Sequence, residues 1–569
     1  MRAVARPALY CVTVFLISAA CAGSSVPAGS GLSANDIARA GPKRITAAIM
    51  EEPRGVNRTV NLDAGAGTDA VEDLLHAGLA NVDDRSRPRA QLAEVLPTVE
   101  NGQWRVLPNG RMETTWRLNS RAAWHDGTPF TSDDLVFTGQ VGQDSELPIR
   151  RLPVFEAIEA IEAPDAHTIT VRWNKPFIYA DTLFTRTVAP PMPKHLLEKT
   201  YVGDKAAFAQ LPYWNQEFIG AGPYKLRQWV RDSHLVLEAN DRYVLGRPAI
   251  DEIEIRIVGD QNALAGAILA GAVELTLGRS LTLDPAMQVR NQWQEGKMEV
   301  GLDNWFVMYP QLLTPNPEVV GDLDFRRALL HAIDRQQITD VLQAGLAPVA
   351  HTRIAPGQSE SPAIERAVVR YEYEPAKAIQ MIEGLGYARG PDGFFSRAGA
   401  RPSVQIRTGD NDDLSQKAMF SIADAWKRIG VDTETFLVPR QLDEPEFAAT
   451  FPAFRIVRQP NDPASLEDFR GSQAPTPENR FRGRNRPRYV NAEFDALLDR
   501  YFATLSLDRR AETLGEIERH ISERLIMMGL FYNTEPVLIG NRLLNVSARG
   551  SGSTHAWNAE QWNLRASLR

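Results

Sequence analysis

The sequence predicts an α/β protein with two or more lobes and mixed β-sheets. At 569 residues, the chain is longer than a single hydrophobic core normally supports. In the first half, short segments alternate apolar and polar residues, which indicates strands. From Asp324 onward, apolar residues recur at three- and four-residue spacing, which indicates helices with strands between them. These observations define the fold class, and the same patterns place the individual elements.

The predicted elements begin with a strand at residues 44–50 and a helix at residues 69–79. The remaining strands of the first half are predicted at residues 114–118, 168–173, 234–238 and 252–258. The helices of the second half are predicted at residues 325–344, 375–385, 413–429, 492–505 and 509–527. Two strands, at residues 404–408 and 433–438, are interleaved with these helices. No repeat with a period of 20 to 50 residues is present.

The composition is that of an ordinary globular protein. Hydrophobic residues make up 43% of the chain and charged residues 24%, which excludes a disordered or fibrous class. The formal net charge is −8, so we expect no nucleic-acid partner for the protein as a whole.

The N-terminus predicts export. Arg2 and Arg6 precede an apolar run at residues 8–20, and small residues follow, which is the order of a secretory signal. The run is too short to span a bilayer. We therefore predict a signal peptide at residues 1–21 and a flexible tether at residues 22–43. Both cysteines of the chain, Cys11 and Cys21, lie in this first segment, so the body of the protein cannot contain a disulfide.

Cys21 follows Ser18-Ala19-Ala20 and resembles the lipidated cysteine of bacterial lipoproteins. The resemblance implies a periplasmic or cell-surface protein that is anchored to the membrane through this residue. The alternative is a plain signal peptide that is cut near Ala20 or Ala22.

A set of motifs occurs in order along the chain. In residues 115–138, a strand ends at the turn Asp126-Gly127-Thr128-Pro129, and Thr131 caps a helix with Asp133 and Asp134 in its first turn. The later motifs are PPMPKHLL at 190–197, GAGPYK at 220–225, AGAVEL at 270–275, DFRRALLHAIDRQQITDVLQAG at 324–345, the segment 373–386, and YVNAEFDALL at 489–498. This ordered set resembles extracytoplasmic solute-binding protein family 5, which serves ABC importers of peptides, oligopeptides and nickel.

The resemblance implies a two-lobed periplasmic binding protein fold of type II, in the large dipeptide- and oligopeptide-binding class, with a hinge between the lobes. The first lobe would comprise residues 44–304 and 532–569, with an extra subdomain at about 75–215. The second lobe would comprise residues 305–531. The chain would cross between them near residues 305–311 and 529–537, and a ligand would lie in the cleft between the lobes.

The same resemblance suggests residues that contact the ligand. The glycine loop of Ala64, Gly65, Ala66 and Gly67 would border the cleft, because glycine lets backbone amides approach a guest. Four aromatic residues are candidates for its apolar walls: Trp214, Tyr224, Trp305 and Phe306. In proteins of this size, aromatic residues are more often part of the core.

Family members that take peptides hold the ligand ammonium with an aspartate in a Trp-x-x-Asp-Tyr-x-(Asp/Glu)-Pro segment. The matching segment here is residues 456–463, with Ile456 at the tryptophan position and Gln459 at the aspartate position. Arg458 and Asn461 lie beside Gln459 and complete the candidate contacts. Without the carboxylate, a buried ammonium lacks its charge partner. We therefore expect a small solute that is peptide-like or anionic.

Two other features have alternative interpretations. Residues 65–70 fit the dinucleotide pattern GxGxxA, with Asp83 and Asp84 at the offset of a ribose-binding acid, but no parallel-strand pattern follows. A glycine loop leading into a helix is the preferred interpretation. Five arginines are crowded into one later stretch, at Arg480, Arg482, Arg484, Arg486 and Arg488. They indicate either an anionic ligand in the cleft or a solvated basic loop.

The sequence lacks three common catalytic motifs. HExxH, GxxxxGK(S/T) and GxSxG are all missing, and the nine histidines are scattered. We therefore predict no catalytic residues, no metal site and no cofactor. The sequence is interpreted as a monomeric binding component that works with ABC permease subunits in the membrane. An extracytoplasmic sensor or holding protein, or an enzyme on the same scaffold, are the alternatives.

Overall fold

The computed structural model describes residues 41–60, 65–147, 149, 152, 154–442 and 444–565. The predicted signal peptide, most of the tether, Cys21 and Ala64 lie outside these residues. Residues Lys43–Arg569 form one compact unit.

The strands of the described residues are numbered in chain order. They are β1 (Arg44–Ile49), β2 (Ala80–Val82), β3 (Pro88–Ala90), β4 (Trp104–Val106), β5 (Met112–Arg117), β6 (Ile158–Asp165), β7 (Thr168–Trp173), β8 (Tyr224–Val230), β9 (His234–Ala239), β10 (Glu252–Ile257), β11 (Leu275–Thr276), β12 (Gly296–Pro310), β13 (Ala388–Arg389), β14 (Phe395–Ser396), β15 (Ser403–Gly409), β16 (Asp432–Val438), β17 (Phe454–Pro460), β18 (Met528–Gly540), β19 (Leu543–Leu544) and β20 (Asn563–Leu564).

The α-helices are numbered in the same way. They are α1 (Thr68–Leu75), α2 (Ser132–Gln143), α3 (Val154–Ala157), α4 (Lys194–Gly203), α5 (Lys205–Phe208), α6 (Gln261–Leu269), α7 (Leu283–Gln292), α8 (Leu323–His331), α9 (Arg335–Leu342), α10 (Ser361–Glu365), α11 (Pro375–Gly384), α12 (Asp413–Arg428), α13 (Pro445–Ala449), α14 (Ala492–Ala503) and α15 (Leu507–Arg524).

One large mixed sheet runs through the described part of the chain, with the strand order β16-β15-β17-β12-β18-β11-β1-β10-β9-β8. β1 pairs parallel with β10 and β11, whereas β9 pairs antiparallel with both β8 and β10. At the other end, β15 pairs parallel with β16 and β17. A separate four-stranded sheet has the order β4-β5-β7-β6. The fold is therefore α/β with mixed sheets, as the sequence predicts.

Two long central strands connect the two ends of the large sheet. β12 and β18 pair antiparallel from Gly296 opposite Gly540 to Met308 opposite Met528, with register shifts after Leu302 and after Phe306. β18 also pairs with β11, and β12 also pairs with β17. The crossing segments predicted at residues 305–311 and 529–537 overlap the ends of these two strands.

Hydrophobic clusters cover the sheet on each side of the central strands. The cluster around Phe325 and Trp426 contains fully buried residues between Phe306 and Phe531. The cluster around β1 instead combines residues 45–277 with residues 537–562. Alternation of buried and half-buried residues is typical of these strands; in β15, every second residue is buried. The helix α12 buries Ala418, Met419, Ile422, Ala423 and Trp426, which share one face.

The structure corrects two helix boundaries. The helix predicted at residues 325–344 is divided into α8 and α9, because Asp334 leaves helical geometry and its side chain accepts a hydrogen bond from the Gln337 amide as the cap of α9. The helix predicted at residues 69–79 ends at Leu75, because His76 is extended with φ −97° and ψ 155°. Its ring instead contacts the Val56 carbonyl.

Candidate functional site

The glycine loop before α1 is a close-packed backbone turn. Gly67 has φ +98°, and a Cβ atom at this position would lie 2.5 Å from Cγ2 of Ile49. A Cβ atom on Gly278 would lie 2.3 Å from the Cα atom of Gly67. The amide of Ala66 donates a hydrogen bond of 3.0 Å to the carboxylate of Glu51. Glycine is therefore required where this loop packs against the end of β1 and the segment after β11.

Arg549, whose side chain is 9% exposed, connects the first turn of α1 to the central strand β18. Nη1 of Arg549 lies 3.0 Å from Oδ2 of Asp69 in the first turn of α1, and Nη2 lies 2.6 Å from Oε2 of Glu535 on β18. Burial acts to raise the pKa of Asp69, but Arg549 and then Arg186, Arg58 and His555 outweigh it and hold this pKa below its ordinary value. Asp69 is therefore ionised as part of a buried ion cluster.

The ion cluster extends along α1. Nε of Arg186 lies 2.6 Å from Oδ1 of Asp73, and its Nη1 lies 3.4 Å from Oε2 of Glu72. Nε of Arg58 lies 3.2 Å from the same oxygen of Glu72. The hydroxyl of Thr554 donates a hydrogen bond of 2.5 Å to Asp73. Burial raises the pKa of Glu72 to about 7, although Arg186 and Arg58 both oppose this shift. The cluster anchors α1, the helix that directly follows the glycine loop.

The end of β17 meets the same region through a short C-terminal segment. Gln459 lies opposite Trp305 in the β12–β17 pairing. The side-chain amide of Asn461 donates a hydrogen bond of 2.9 Å to the Leu302 carbonyl. The Asn461 carbonyl accepts a hydrogen bond of 3.2 Å from the hydroxyl of Ser551. Because Arg549 contacts Asp69 and Ser551 contacts Asn461, the segment 549–551 joins the first turn of α1, directly after the glycine loop, to the end of β17.

The predicted polar contacts differ in exposure. Arg458 is exposed and Gln459 is half-buried, whereas Asn461 is fully buried. Within the described residues, the side-chain oxygen of Asn461 has no hydrogen-bond partner. Gln459 is therefore a half-buried neutral amide, and the buried acceptor of Asn461 lies two residues further along the chain; that either residue contacts a ligand stays a prediction.

The four aromatic candidates lie in hydrophobic cores. Trp214 and Tyr224 belong to the cluster around β1, and the indole of Trp214 donates a hydrogen bond of 2.7 Å to the Phe208 carbonyl. Trp305 and Phe306 are also buried, and the ring of Phe306 stacks on Phe531 with 4.6 Å between centroids. Their contact with a ligand stays a prediction.

The arginine-rich stretch divides into exposed and buried members. The side chains of Arg480, Arg482 and Arg484 are exposed, and Arg484 lies 3.4 Å from Asp468. Arg488 is buried, and its Nη1 donates a hydrogen bond of 3.0 Å to Thr314. The first three arginines therefore fit the solvated-loop alternative better than Arg488 does.

The dinucleotide interpretation of the glycine loop lacks its structural context. The strand that follows α1 is β2, which pairs with β3 in a separate sheet and does not extend the large sheet beside β1. Asp83 accepts hydrogen bonds of 2.9 Å from the amides of Arg85 and Arg87, so it closes a turn. The arrangement that places a nucleotide across two parallel strands is not formed here.

Neither a candidate metal site nor a membrane-spanning helix is present among the described residues. No group of three or more histidine, cysteine, aspartate and glutamate side chains is arranged to hold a metal ion there. None of the helices formed by those residues is both long and apolar enough to cross a membrane.

Sequence reasoning missed the residues that join the site. Arg549, Glu535 and Ser551 are distant in sequence from the glycine loop, and no local pattern marks them. The small residues around Arg549, in the run Ser547 to Ser553, indicate only a turn-rich segment.

Comparison with known proteins identifies the family. Residues 102–476 match the family model described as bacterial extracellular solute-binding proteins, family 5 Middle. The oligopeptide-binding protein AppA of Bacillus subtilis is 23% identical over 507 residues, which cover 87% of each chain.

Solved structures show the same fold. NikZ from Campylobacter jejuni, in complex with Ni(L-His), has a TM-score of 0.67 at 20% identity, covering 92% of this chain and 100% of that one. HbpA2 from Haemophilus parasuis has a TM-score of 0.73 at 18% identity, with the same coverage. These similarities confirm the predicted two-lobed α/β fold with mixed sheets. The chain therefore belongs to the bacterial extracellular solute-binding proteins of family 5.

Proposed function

We propose that this chain is the substrate-binding component of an ABC importer, which captures a peptide-like solute in a cleft between two lobes and delivers it to permease subunits in the membrane. The observation that carries this proposal is the family match over residues 102–476. The similarity to an oligopeptide-binding protein along most of both chains supports the peptide-like ligand. The family comprises binding proteins, so no catalytic step is proposed.

The lobe boundaries belong to this proposal. The first lobe comprises residues 44–304 and 532–569, including the subdomain at about 75–215, and the second comprises residues 305–531. The separate hydrophobic clusters on either side of β12 and β18 support this division. Closure about the two central strands would enclose the solute between the segment 549–551, the glycine loop and the end of β17. The protein is proposed to act as a monomer.

The family is extracytoplasmic, and the finer location is a proposal. A signal peptide at residues 1–21 would direct export, and a lipid on Cys21 would anchor the protein through the tether at residues 22–43.

The proposed ligand is a peptide-like solute whose binding does not depend on a free ammonium, or an anion. Gln459 offers no negative charge at the family's ammonium position. The nearby carboxylates of Asp69 and Glu535 are already bound by Arg549. Arg458 is exposed, but its side chain points to the opposite face of β17 from Gln459, so the anionic alternative is supported by the missing negative charge at Gln459 and not by this guanidinium.

The experiment compares pairs of short peptides that differ only in a free or acetylated N-terminus, by isothermal titration calorimetry. We expect no preference for the free amine in the wild-type protein. Gln459→Asp should create a preference of about tenfold or more, because a hydrogen bond to a charged group contributes about 1.5–3 kcal/mol. Gln459→Asn is the matched control, since it shortens the side chain without adding a charge.

Two results would contradict these proposals. A strong wild-type preference for free-amine peptides would refute the ligand class. If native mass spectrometry finds no co-purified solute, and neither peptides nor small anions bind in calorimetry, the binding role itself is wrong.

A further inference from the structure

The segment after β7 is buried against helices that lie on the other side of the central strands. Ile178 is 1% exposed and belongs to a cluster whose other fully buried members lie between Trp305 and Tyr532. In the reverse direction, Leu505, in the connection between α14 and α15, packs against this cluster and against the cluster around Trp116. Ile178 is therefore buried in the core of the other side, and Leu505 packs against the surface of a cluster on the first side.

Polar and aromatic contacts accompany this exchange. Nη1 of Arg510, on α15, donates a hydrogen bond of 3.1 Å to the Ile178 carbonyl. The hydroxyls of Tyr179 and Tyr501 lie 3.5 Å apart. The ring of Tyr179 also packs edge-on against Phe502, with 6.3 Å between centroids. These contacts join the loop after β7 to the corner formed by α14 and α15.

This contact differs in kind from the connection through the central strands. β12 and β18 are covalently continuous with both lobes and share a long hydrogen-bonded ladder. The contact between residues 178–179 and the α14–α15 corner crosses from lobe to lobe through side chains, one carbonyl and one hydroxyl pair. A contact built from so few groups can break and form again as a unit, whereas the paired strands remain joined.

We propose that Ile178 and Tyr179, together with Tyr501, Phe502, Leu505 and Arg510, form a clamp that holds the two lobes together, and that the arrangement in which these contacts are formed is the closed one. The inference rests on the proposed two-lobe function. It adds that closure is stabilised away from the segment 549–551 and the glycine loop, by contacts that involve no ligand. Changes at the clamp should therefore alter solute affinity through the population of closed protein, without altering which solute is preferred.

The experiment measures the distance between the lobes. The body of the protein contains no cysteine, so a protein with Cys11→Ser and Cys21→Ser carries only thiols that are introduced. Spin labels on Glu162→Cys in β6 and Glu512→Cys in α15, both exposed positions, report the distance by pulsed electron paramagnetic resonance. We expect a dominant short distance in this protein.

The clamp variant is Ile178→Ala with Arg510→Ala. Loss of one hydrogen bond and one apolar contact should lower the ratio of short to long distances by about tenfold. Arg509→Ala, an exposed neighbour on the same helix, is the matched control and should leave the ratio unchanged. If thermal unfolding shows that the double variant does not fold, Arg510→Ala alone and Tyr179→Phe decide the question.

The outcomes separate the clamp from the proposed function. If the clamp variants keep the wild-type ratio, or if the wild type shows only the long distance, the clamp is wrong. If solute binding and mutation both leave a single distance in every protein, the lobes do not move, and closure in the proposed function is contradicted. Equal closing of wild type and clamp variants on solute binding overturns the clamp and leaves the proposed function in place.

Discussion

Replacement of Arg549 by methionine should destabilise the region where the glycine loop meets β18. The substitution removes the cation that Asp69 and Glu535 share and leaves two carboxylates whose side chains are 18% and 5% exposed. Removal of one partner from a buried ion pair costs about 3–5 kcal/mol. Because Asp69 keeps some contact with water, we expect the lower end, a loss of about 3 kcal/mol in the free energy of unfolding at pH 7.5.

The pH dependence of this loss tests its cause. In the wild type, the pKa of Asp69 lies below its ordinary value of 3.8, so its ionised form stabilises the fold above that pH, and this contribution is lost as the pH falls through the lowered pKa. In Arg549→Met, burial is opposed only by more distant cations, and the pKa should rise. A carboxyl group whose pKa is higher in the folded than in the unfolded state lowers the free energy of unfolding as the pH increases. The difference between variant and wild type should therefore shrink from pH 7.5 to pH 5.

Urea denaturation at these two pH values measures the effect. Arg542→Met is the control, because it removes a half-exposed partner of Glu274 and should cost about 1 kcal/mol or less. Arg549→Met with Glu535→Gln should recover part of the loss, since one buried charge is then absent. A loss below about 1 kcal/mol for Arg549→Met, or an equal loss at both pH values, would refute the reasoning.

Three further predictions concern other parts of the fold. Gly67→Ala should lower both the melting temperature and solute affinity, because the residue has φ +98° and its Cβ atom would collide with Ile49. Gly266→Ala, within a helix and open to space, should instead stabilise the protein by about 0.5–1 kcal/mol. Equal melting temperatures of the two variants would contradict this. Glu518→Gln should lower the free energy of unfolding by about 3 kcal/mol in chemical denaturation, because Arg353 and Glu518 form an ion pair whose side chains are only 2% and 1% exposed. If the pair is the cause, the double variant Glu518→Leu with Arg353→Met should lose less than the single variant. Burial raises the pKa of Asp181 from 3.8 to about 6, against the opposing charge of Arg510, so ionisation of Asp181 destabilises the fold as the pH rises through this range. The stability of Asp181→Asn relative to the wild type should therefore increase from pH 4 to pH 7 in thermal unfolding. A stability difference between the two proteins that does not vary with pH would exclude this shift.

Regular elements of the second half could be predicted closely from the sequence. The strand β15 and the helix α12 follow directly from alternation and from three- and four-residue spacing, because each packs one face against a core. The division between α8 and α9 was not predicted. The apolar spacing continues through the break, and only the capping side chain of Asp334 marks a new helix start.

The candidate site was predicted in parts and not as a whole. The glycine loop and the end of β17 each have a local signature that resembles the family. Their connection through Arg549 and Ser551 depends on contacts between residues far apart in the sequence, 480 positions for Asp69–Arg549 and 90 for Asn461–Ser551. Such contacts leave no periodic trace in a single sequence. The burial of Trp214 and Tyr224 is likewise a tertiary property.

The continuous pairing of β12 and β18 has a mechanical consequence. Neighbouring strands are hydrogen-bonded from β16 to β8, so the lobes are not joined by loose linkers. A change in the angle between the lobes must therefore bend the paired strands β12 and β18. Flexing is easiest at the register shifts after Leu302 and Phe306, where the ladder is locally disrupted. Sliding is opposed, since a slip of one residue would reverse the faces of Phe306 and its neighbours. For the proposed closure, bending at these register shifts is therefore easier than sliding, and the bent sheet would itself favour reopening.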